Sequence, residues 1–419
     1  MHIALISEHA SPLAVLGGVD SGGQNVYVAH LARQLGRVGH RVDVFTRCDA
    51  EGLPDIVPFD QNVRVIHVRA GPRKHIEKEG LLPYMQEFAV RMGVHCTDSP
   101  QPYHLVHANF FMSGFVAAHL REYLGLPFVM TFHALGKVRQ AHQREADRFP
   151  ASRIAIEAQL VEQADRIVAE CPQDRDDLIH LYGADPGKID VVGCGIDTCE
   201  LGAVGKAVAR ERLGLPQDEF IVLQLGRLVP RKGIDNVIRA ISRLRANNVR
   251  ARLLVVGGNT PEPDPAATPE IGRLAKLAQD EGVRDQVHFV GQRRREDLKY
   301  YYSAANVFVT TPWYEPFGIT PLEAMACGTP VVGAAVGGIK SSVVDAVTGY
   351  LVPPHDPDAL AERLARIYQN PELGRAFGRA GIRHVRTRYT WEKIAQEIQP
   401  VYARVALNPI LGAAIGGRA

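Results

Sequence analysis

The stretch Glu315-Pro316-Phe317-Gly318-Ile319-Thr320-Pro321-Leu322-Glu323 sets two carboxylates seven residues apart, just before an apolar run and Gly328-Thr329-Pro330-Val331-Val332-Gly333. Upstream, residues 306–311 (NVFVTT) read as a short buried strand, so Glu315 falls in the loop beyond its carboxyl end, where open α/β sheets bind ligands. Glu323 lies within a helix expected over residues 320–327. Gly318 lacks a Cβ and lets a ligand approach the backbone between the carboxylates, which suit the hydroxyls of a sugar and a ribose. Two glutamates around a Pro-Gly turn are by themselves ordinary solvated groups. The sequence E-P-F-G-I-T-P-L-E-A-M-A-C-G-T-P-V-V around them gives them a chemical reading.

Outward from this stretch, strand-like runs alternate with helical ones, the pattern of parallel βα units. Strands are expected at residues 2–8, 41–46, 63–68, 104–108, 127–132, 166–170 and 188–192, and again at 220–225, 252–256, 286–290, 306–310, 330–332 and 349–352. Helical stretches fall at residues 24–38, 81–95 and 152–164. The alternation pauses in a Gly-rich polar segment, and the boundary between two α/β domains is expected near residues 195–215. A chain of 419 residues suits two such cores.

A ligand that carries phosphates calls for cations and oriented amides. Arg227 and Lys232 follow the strand 220–225, and Gly233 opens the next helix, whose free N–H groups favour anions. The alternative for Arg231 and Lys232 is a solvated loop pair. Gly22 and Gly23 stand between the first strand and its helix, where missing side chains let amides approach a phosphate; Gly17-Gly18 and Gly22-Gly23 also make a long loop flexible enough to order over a ligand. His133 ends the strand 127–132.

These residues resemble the signature of retaining glycosyltransferases with the GT-B fold, in family 4 (group 1), which includes sucrose-phosphate synthases and the mycothiol-pathway inositol-phosphate glycosyltransferase. The resemblance runs from Gly22-Gly23-Gln24-Asn25-Val26-Tyr27-Val28 through Thr131-Phe132-His133-Ala134-Leu135-Gly136 and Gly226-Arg227-Leu228-Val229-Pro230-Arg231-Lys232-Gly233 to Tyr389-Thr390-Trp391. It implies two Rossmann-like domains facing across a cleft: residues 1–200 on the acceptor side, 201–390 binding the nucleotide sugar, and a helix and tail, 391–419, returning to the first domain.

By the same resemblance, Arg227 and Lys232 take the diphosphate, Glu315 the donor sugar and Glu323 the ribose diol. Gly22, Gly23, Phe317 and Gly318 line the donor, and the loop with Gln292, Arg293 and Arg294 reads the base. The alternative for those two arginines is a basic surface loop. His133 matches the histidine that contacts the donor sugar; it is not assigned as a base, because the departing phosphate takes the acceptor proton. A covalent double displacement is the chemical rival. Lys78, Lys137 and Arg153 match basic acceptor-side positions and together suit a phosphate; Lys78 and Lys137 are equally plausible as solvated lysines. Phe110, Ala134 and Gly80 depart from the family pattern.

The remaining features exclude more than they assign. Net charge is +2, no basis for a nucleic-acid partner, and Arg375, Arg379, Arg383, Arg386 and Arg388 recur as the solvated face of a helix. Six cysteines without a C-x-x-C pair read as reduced thiols in a cytoplasmic protein. The N-terminus reads as a first strand rather than a signal peptide, no segment is apolar enough to span a membrane, and the tail 408–419 reads as surface-packed or frayed. Asp174-Arg175-Asp176 and Asp356-Pro357-Asp358 mimic D-x-D but precede helical runs, so they are expected to be helix caps with no metal required.

The expectation is a metal-independent retaining transferase moving glucose from a UDP-sugar to a small sugar or polyol, with or without a phosphate. A GT-B sugar-nucleotide epimerase and a non-catalytic sugar-nucleotide-binding protein remain alternatives. No G-x-G-x-x-G supports a nicotinamide enzyme.

Overall fold

The computed structural model describes residues 1–14, 22–144 and 147–407; Gly17, Gly18 and the tail 408–419 lie outside the described residues. Two units are distinguished, Met1–Cys194 with Trp391–Ala419, and Gly195–Thr390.

In the first unit the strands are β1 (His2–Ile6), β2 (Arg41–Arg47), β3 (Ile56–Asp60), β4 (Val63–Val68), β5 (Leu105–Asn109), β6 (Phe128–Thr131), β7 (Arg166–Ala169) and β8 (Ile189–Val191). They form one sheet in the order β3-β4-β2-β1-β5-β6-β7-β8. All pairings are parallel except β3 with β4. The sequence reading has no strand at β3, because Pro58 interrupts the pattern; the strand survives as a half-exposed edge whose register shifts beyond Pro58. β1 is buried along its whole length, as a parallel strand covered on both faces must be. On one face Ala4, Ile6, Val106 and Ala108 pack with Phe88, Met92, Val116 and Leu160 from helices Met85–Asp98, Phe111–Leu124 and Ser152–Gln163.

On the other face lie helices Gly23–Arg37 and Trp391–Ala406. Trp391 is buried, its ring stacked on His30 at 5.2 Å and edge-on to Tyr27 at 5.8 Å. Further along, the Tyr402 hydroxyl meets Nδ1 of His107 at 2.7 Å. Burial pushes the His107 imidazole down to about 3, so it stays neutral inside the sheet. The C-terminal helix is thereby built into the first unit.

The second unit carries β9 (Phe220–Leu225), β10 (Ala251–Val256), β11 (Val287–Gly291), β12 (Val307–Thr310), β13 (Val331–Ala334) and β14 (Gly349–Val352) in an all-parallel sheet ordered β11-β10-β9-β12-β13-β14. Helix Ile234–Ala246 shows why the layers close: Ile234, Val237, Ile238, Ile241 and Leu244 recur at helical spacing and are all buried. The five arginines of helix Pro371–Arg388 lie on its exposed face, as the spacing predicts. Among the described residues no helix is long and apolar enough to cross a membrane.

Each sheet reverses its strand order at one place, between β1 and β5 in the first unit and between β9 and β12 in the second. Outside the carboxyl ends of such a strand pair lies the crevice in which open α/β sheets bind ligands.

Candidate functional site

In the second unit the crevice is furnished by the chain leaving β9 and β12. After β9, Arg227 leads to the 3-10 turn Pro230–Lys232, and Gly233 turns the chain into the next helix at φ 66°. Only glycine fits there, since a Cβ would lie 1.9 Å from the Thr311 carbonyl oxygen. This close approach brings Lys232 to Glu315, and the ammonium donates to Oε2 of the carboxylate. Their side chains are only 16% and 14% exposed.

Burial works against the charged form of Glu315, but Lys232, Arg231 and Arg227 together hold its carboxyl below the usual range. Burial lowers Lys232 in turn; repulsion from Arg231 and Arg227 adds to that, against the pull of Glu315. The site is therefore a cationic pocket with one carboxylate inside it. Arg231, for which a solvated loop position was the alternative above, stacks over Tyr314 at 5.2 Å, and its Nη1 is buried without a hydrogen-bond partner among the described residues.

The loop bearing Glu315 is clamped by a glycine pair the sequence reading did not single out. Gly338 N–H donates to the Glu315 carbonyl at 3.1 Å, and a Cβ at Gly337 would sit 1.8 Å from that same oxygen. Gly318 takes φ 85° and heads helix Ile319–Ala326. Phe317 is buried, its ring 6.4 Å from that of Tyr389.

Glu323, one turn into that helix, is buried and held at both oxygens: Arg295 Nη1 donates to Oε1 at 2.9 Å and the Tyr302 hydroxyl to Oε2 at 2.7 Å. Arg295 Nε also donates to Glu200 at 2.8 Å. Burial opposes the charge on Arg295, yet Glu323 and Glu200 raise its pKa further. Arg295 and Tyr302 escape sequence inspection because their partner lies more than twenty residues away; only the helical spacing of Arg295 and Tyr302 hinted that they share a face.

At the carboxyl end of β11, Gln292 N–H donates to Thr260 O at 2.8 Å. Arg293 folds back onto its own unit, donating to the Tyr301 hydroxyl at 2.9 Å and Pro261 O at 2.6 Å. Arg294 is 84% exposed beside Glu296. Both arginine side chains thus fix or fringe the loop.

In the first unit, Gly22 precedes helix Gly23–Arg37 and its N–H donates to Asn25 Oδ1 at 2.9 Å. Among the described residues nothing lies within 4 Å of a Cβ placed at Gly22. Gln24 ties this helix start to Ser7 and to Asn109 O, both at 3.1 Å. His133 sits beyond β6 at φ 56°, a conformation that costs a non-glycine residue free energy. Nδ1 of its ring meets Glu170 and Nε2 meets Asn109 Oδ1, each at 3.0 Å. Asn109 and Glu170 are further residues that sequence inspection missed.

Arg153 reaches Ala134 O, next to His133, and donates to Glu157 at 2.7 Å. Its guanidinium lies 4.5–4.9 Å from the centres of the Phe110, Phe111 and Phe149 rings, and its Nη1 is buried without a hydrogen-bond partner among the described residues. The 3-10 turn Lys78–Gly80 joins this neighbourhood through Arg148, which pairs with Glu77 at 2.9 Å and adjoins Phe149. Lys137 joins it through its backbone, whose N–H donates to the Tyr182 hydroxyl at 2.9 Å, itself bonded to Glu157, while its ammonium donates to Leu181 O and lies 4.7 Å over the Tyr182 ring.

Asp356 caps helix Pro357–Gln369, accepting from Ala359 N–H at 2.8 Å. Asp174 departs from the cap expectation. Cys171 holds the N-cap position, while Asp174 lies in the first turn and accepts from Glu170 N–H at 2.9 Å. Burial, then the Glu170 charge, pushes its carboxyl up to about 8.

The description "Glycosyl transferases group 1" matches residues 206–384 and "Glycosyltransferase Family 4" matches residues 21–200. Among curated relatives, D-inositol 3-phosphate glycosyltransferase 2 of Catenulispora acidiphila is 37% identical over 96% of this chain and 94% of its own. The D-inositol 3-phosphate glycosyltransferase of Mycobacteroides abscessus is 37% identical over 96% of this chain and 89% of its own. Among solved structures, sucrose-phosphate synthase from Thermosynechococcus elongatus superposes with a TM-score of 0.87 at 36% identity, covering 96% of this chain and 98% of that one.

Proposed function

The chain belongs to the group 1, family 4 glycosyltransferases, and from that premise we propose that it transfers a hexosyl group, glucose, from a UDP-sugar to a small phosphorylated polyol or sugar with retention of configuration. The observation that carries this reading is the Lys232–Glu315 pair beside Arg227 at the β9/β12 crevice. Two cations there suit a leaving diphosphate, and preorganised charge of this kind stabilises the transition state without reorganisation. Glu315 takes hydroxyls of the transferred sugar, Glu323 the ribose diol, and the backbone from Gln292 to Arg294 the base. His133 contributes to sugar binding, and the departing phosphate takes the acceptor proton.

With the diphosphate charge met by Arg227, Lys232 and amides, the reaction needs no metal. The relatives named as inositol 3-phosphate glycosyltransferases, and the likeness to a sucrose-phosphate synthase, favour a phosphorylated acceptor. Lys78 and Arg153 are its basic residues in the first unit; Arg153 must exchange its aromatic enclosure for the phosphate. Free thiols favour the cytoplasm as the site of action.

Measuring nucleotide release across UDP-, ADP- and GDP-sugars, with D-inositol 3-phosphate and hexose 6-phosphates as acceptors, tests the reading. Acceptor-dependent release of UDP is expected. Release from no donor, or equal release with and without acceptor, contradicts it.

A further inference from the structure

His133 is held between two acceptors, which fixes its chemical form as well as its position. Nδ1 meets Oε1 of Glu170 and Nε2 meets Oδ1 of Asn109, each at 3.0 Å. The His133 side chain is 9% exposed and that of Glu170 4%, and Asn109 is fully buried. The Asn109 amide has one workable orientation: its Nδ2 donates to Ile6 O at 3.2 Å and to His107 O at 3.4 Å, so a flip would set Oδ1 against two carbonyls. A carboxylate and an amide oxygen only accept, so each ring nitrogen must supply a hydrogen. A neutral imidazole carries one; the doubly protonated ring carries both.

The charges around the pair agree. A carboxylate as enclosed as Glu170 requires a cation. Asp174, from the first turn of helix Pro172–Tyr182, accepts from Glu170 N–H, and burial, then the Glu170 charge, pushes its carboxyl up to about 8. Cys194 donates its thiol to the same Oε1 at 3.3 Å, and burial raises that thiol well above the usual range. Burial also pushes Cys171 up to about 12 and raises Tyr27, whose ring stands edge-on to His133 at 4.9 Å. His107 is pushed down to about 3 by burial and then by His133. These groups are therefore neutral near pH 7. Arg153 reaches the neighbouring Ala134 O but is paired with Glu157. The His133 ring is left to answer the Glu170 charge.

We propose that Glu170 is a positioning residue which, with Asn109, holds His133 as a doubly protonated imidazolium at the carboxyl end of β6. The inference rests on the transferase reading for its effect on rate and gives His133 a definite form within it. With both N–H bonds committed, the ring has no lone pair to take a substrate proton. It contributes a fixed charge, and its two hydrogen bonds hold the backbone at φ 56° against the strain there.

Nitrogen NMR of isotope-labelled histidine side chains reads the protonation directly, the His133 signals being those lost in His133→Gln or His133→Asn. In wild type both ring nitrogens should carry a proton across about pH 6 to 7.5, a range in which unaided histidines lose one. Glu170→Gln keeps an acceptor for Nδ1–H but removes the charge that favours the second proton, so one nitrogen should be unprotonated at the upper end of that range. Transfer from UDP-glucose should follow: the ratio of variant to wild-type kcat/KM should fall as pH rises, by at most about tenfold per unit for one titrating proton. Calorimetric UDP affinity should stay near wild type. An unprotonated His133 nitrogen in wild type across this range overturns the proposal, and so does a ratio independent of pH. If wild type transfers to no acceptor, the transferase reading fails, while the NMR measurement still decides the form of His133.

Discussion

Lys232 and Glu315, 83 residues apart in sequence, form a largely buried ion pair because Gly233 allows the β9 turn to touch the end of β12. Their charges cannot be removed independently. Lys232→Ala removes the donor to a largely buried carboxylate that Arg231 and Arg227 compensate only in part, so the loss should stay below the roughly 3 kcal/mol of breaking a fully uncompensated pair. A lower Tm and weakened UDP binding are expected together. Lys232→Met with unchanged UDP affinity in calorimetry would remove Lys232 from the donor site.

Glu315 and Glu323 should separate in their effects. If Glu323 meets the ribose, wild type prefers UDP over 2′-deoxy-UDP, and Tyr302→Phe, which frees one carboxylate oxygen to swing, should reduce that preference several-fold, the equivalent of about 1 kcal/mol. Glu315→Gln should leave UDP affinity and the deoxy preference largely intact while impairing transfer. Calorimetry with both nucleotides decides; equal losses of UDP affinity in Glu315→Gln and Glu323→Gln contradict the division.

Asp174 gives a pH signature. Its carboxyl is raised from 3.8 to about 8 by burial and by Glu170, with Asp177 adding repulsion. Between those two values the folded protein binds the proton more tightly than the unfolded chain, so this group's contribution to stability falls as pH rises from about 4 to about 8 and is level outside that window. Asp174→Asn imitates the protonated form and can still accept from Glu170 N–H. Its Tm should exceed that of wild type by a margin that grows across the window. A constant difference would show that Asp174 titrates normally.

Much of this was legible in the chain. Buried parallel strands announce themselves as apolar runs, and β4, β9 and β14 fall where the runs do. β3 did not, because Pro58 and half-exposure erase the signal at an edge. Glu315, Lys232 and Glu323 stood out because a loop chemistry recurs around them. Their holders Arg295, Tyr302, Gly337 and Gly338 were silent, since a side chain's partner across a fold leaves no local pattern. Lys137 illustrates the converse: adjacency to the His133 loop in sequence says nothing of direction, and its ammonium turns to Leu181 and Tyr182.

The C-terminal helix makes a separate prediction. Trp391 is buried against Tyr27 and His30 within the first unit, so Trp391→Ala should cost about 3 to 5 kcal/mol of that unit's stability. The change should appear in unfolding of the first unit, with calorimetric UDP affinity preserved below the transition. Loss of UDP binding at temperatures where the protein is folded would contradict that assignment.

The central claim, retaining transfer from a UDP-sugar, is tested most directly by following the anomeric proton of the product by NMR as UDP-glucose reacts with D-inositol 3-phosphate or glucose 6-phosphate. The account predicts that an α-linked glucosyl product appears first and in step with UDP. A β-linked product, or UDP released with only free glucose formed, would contradict it.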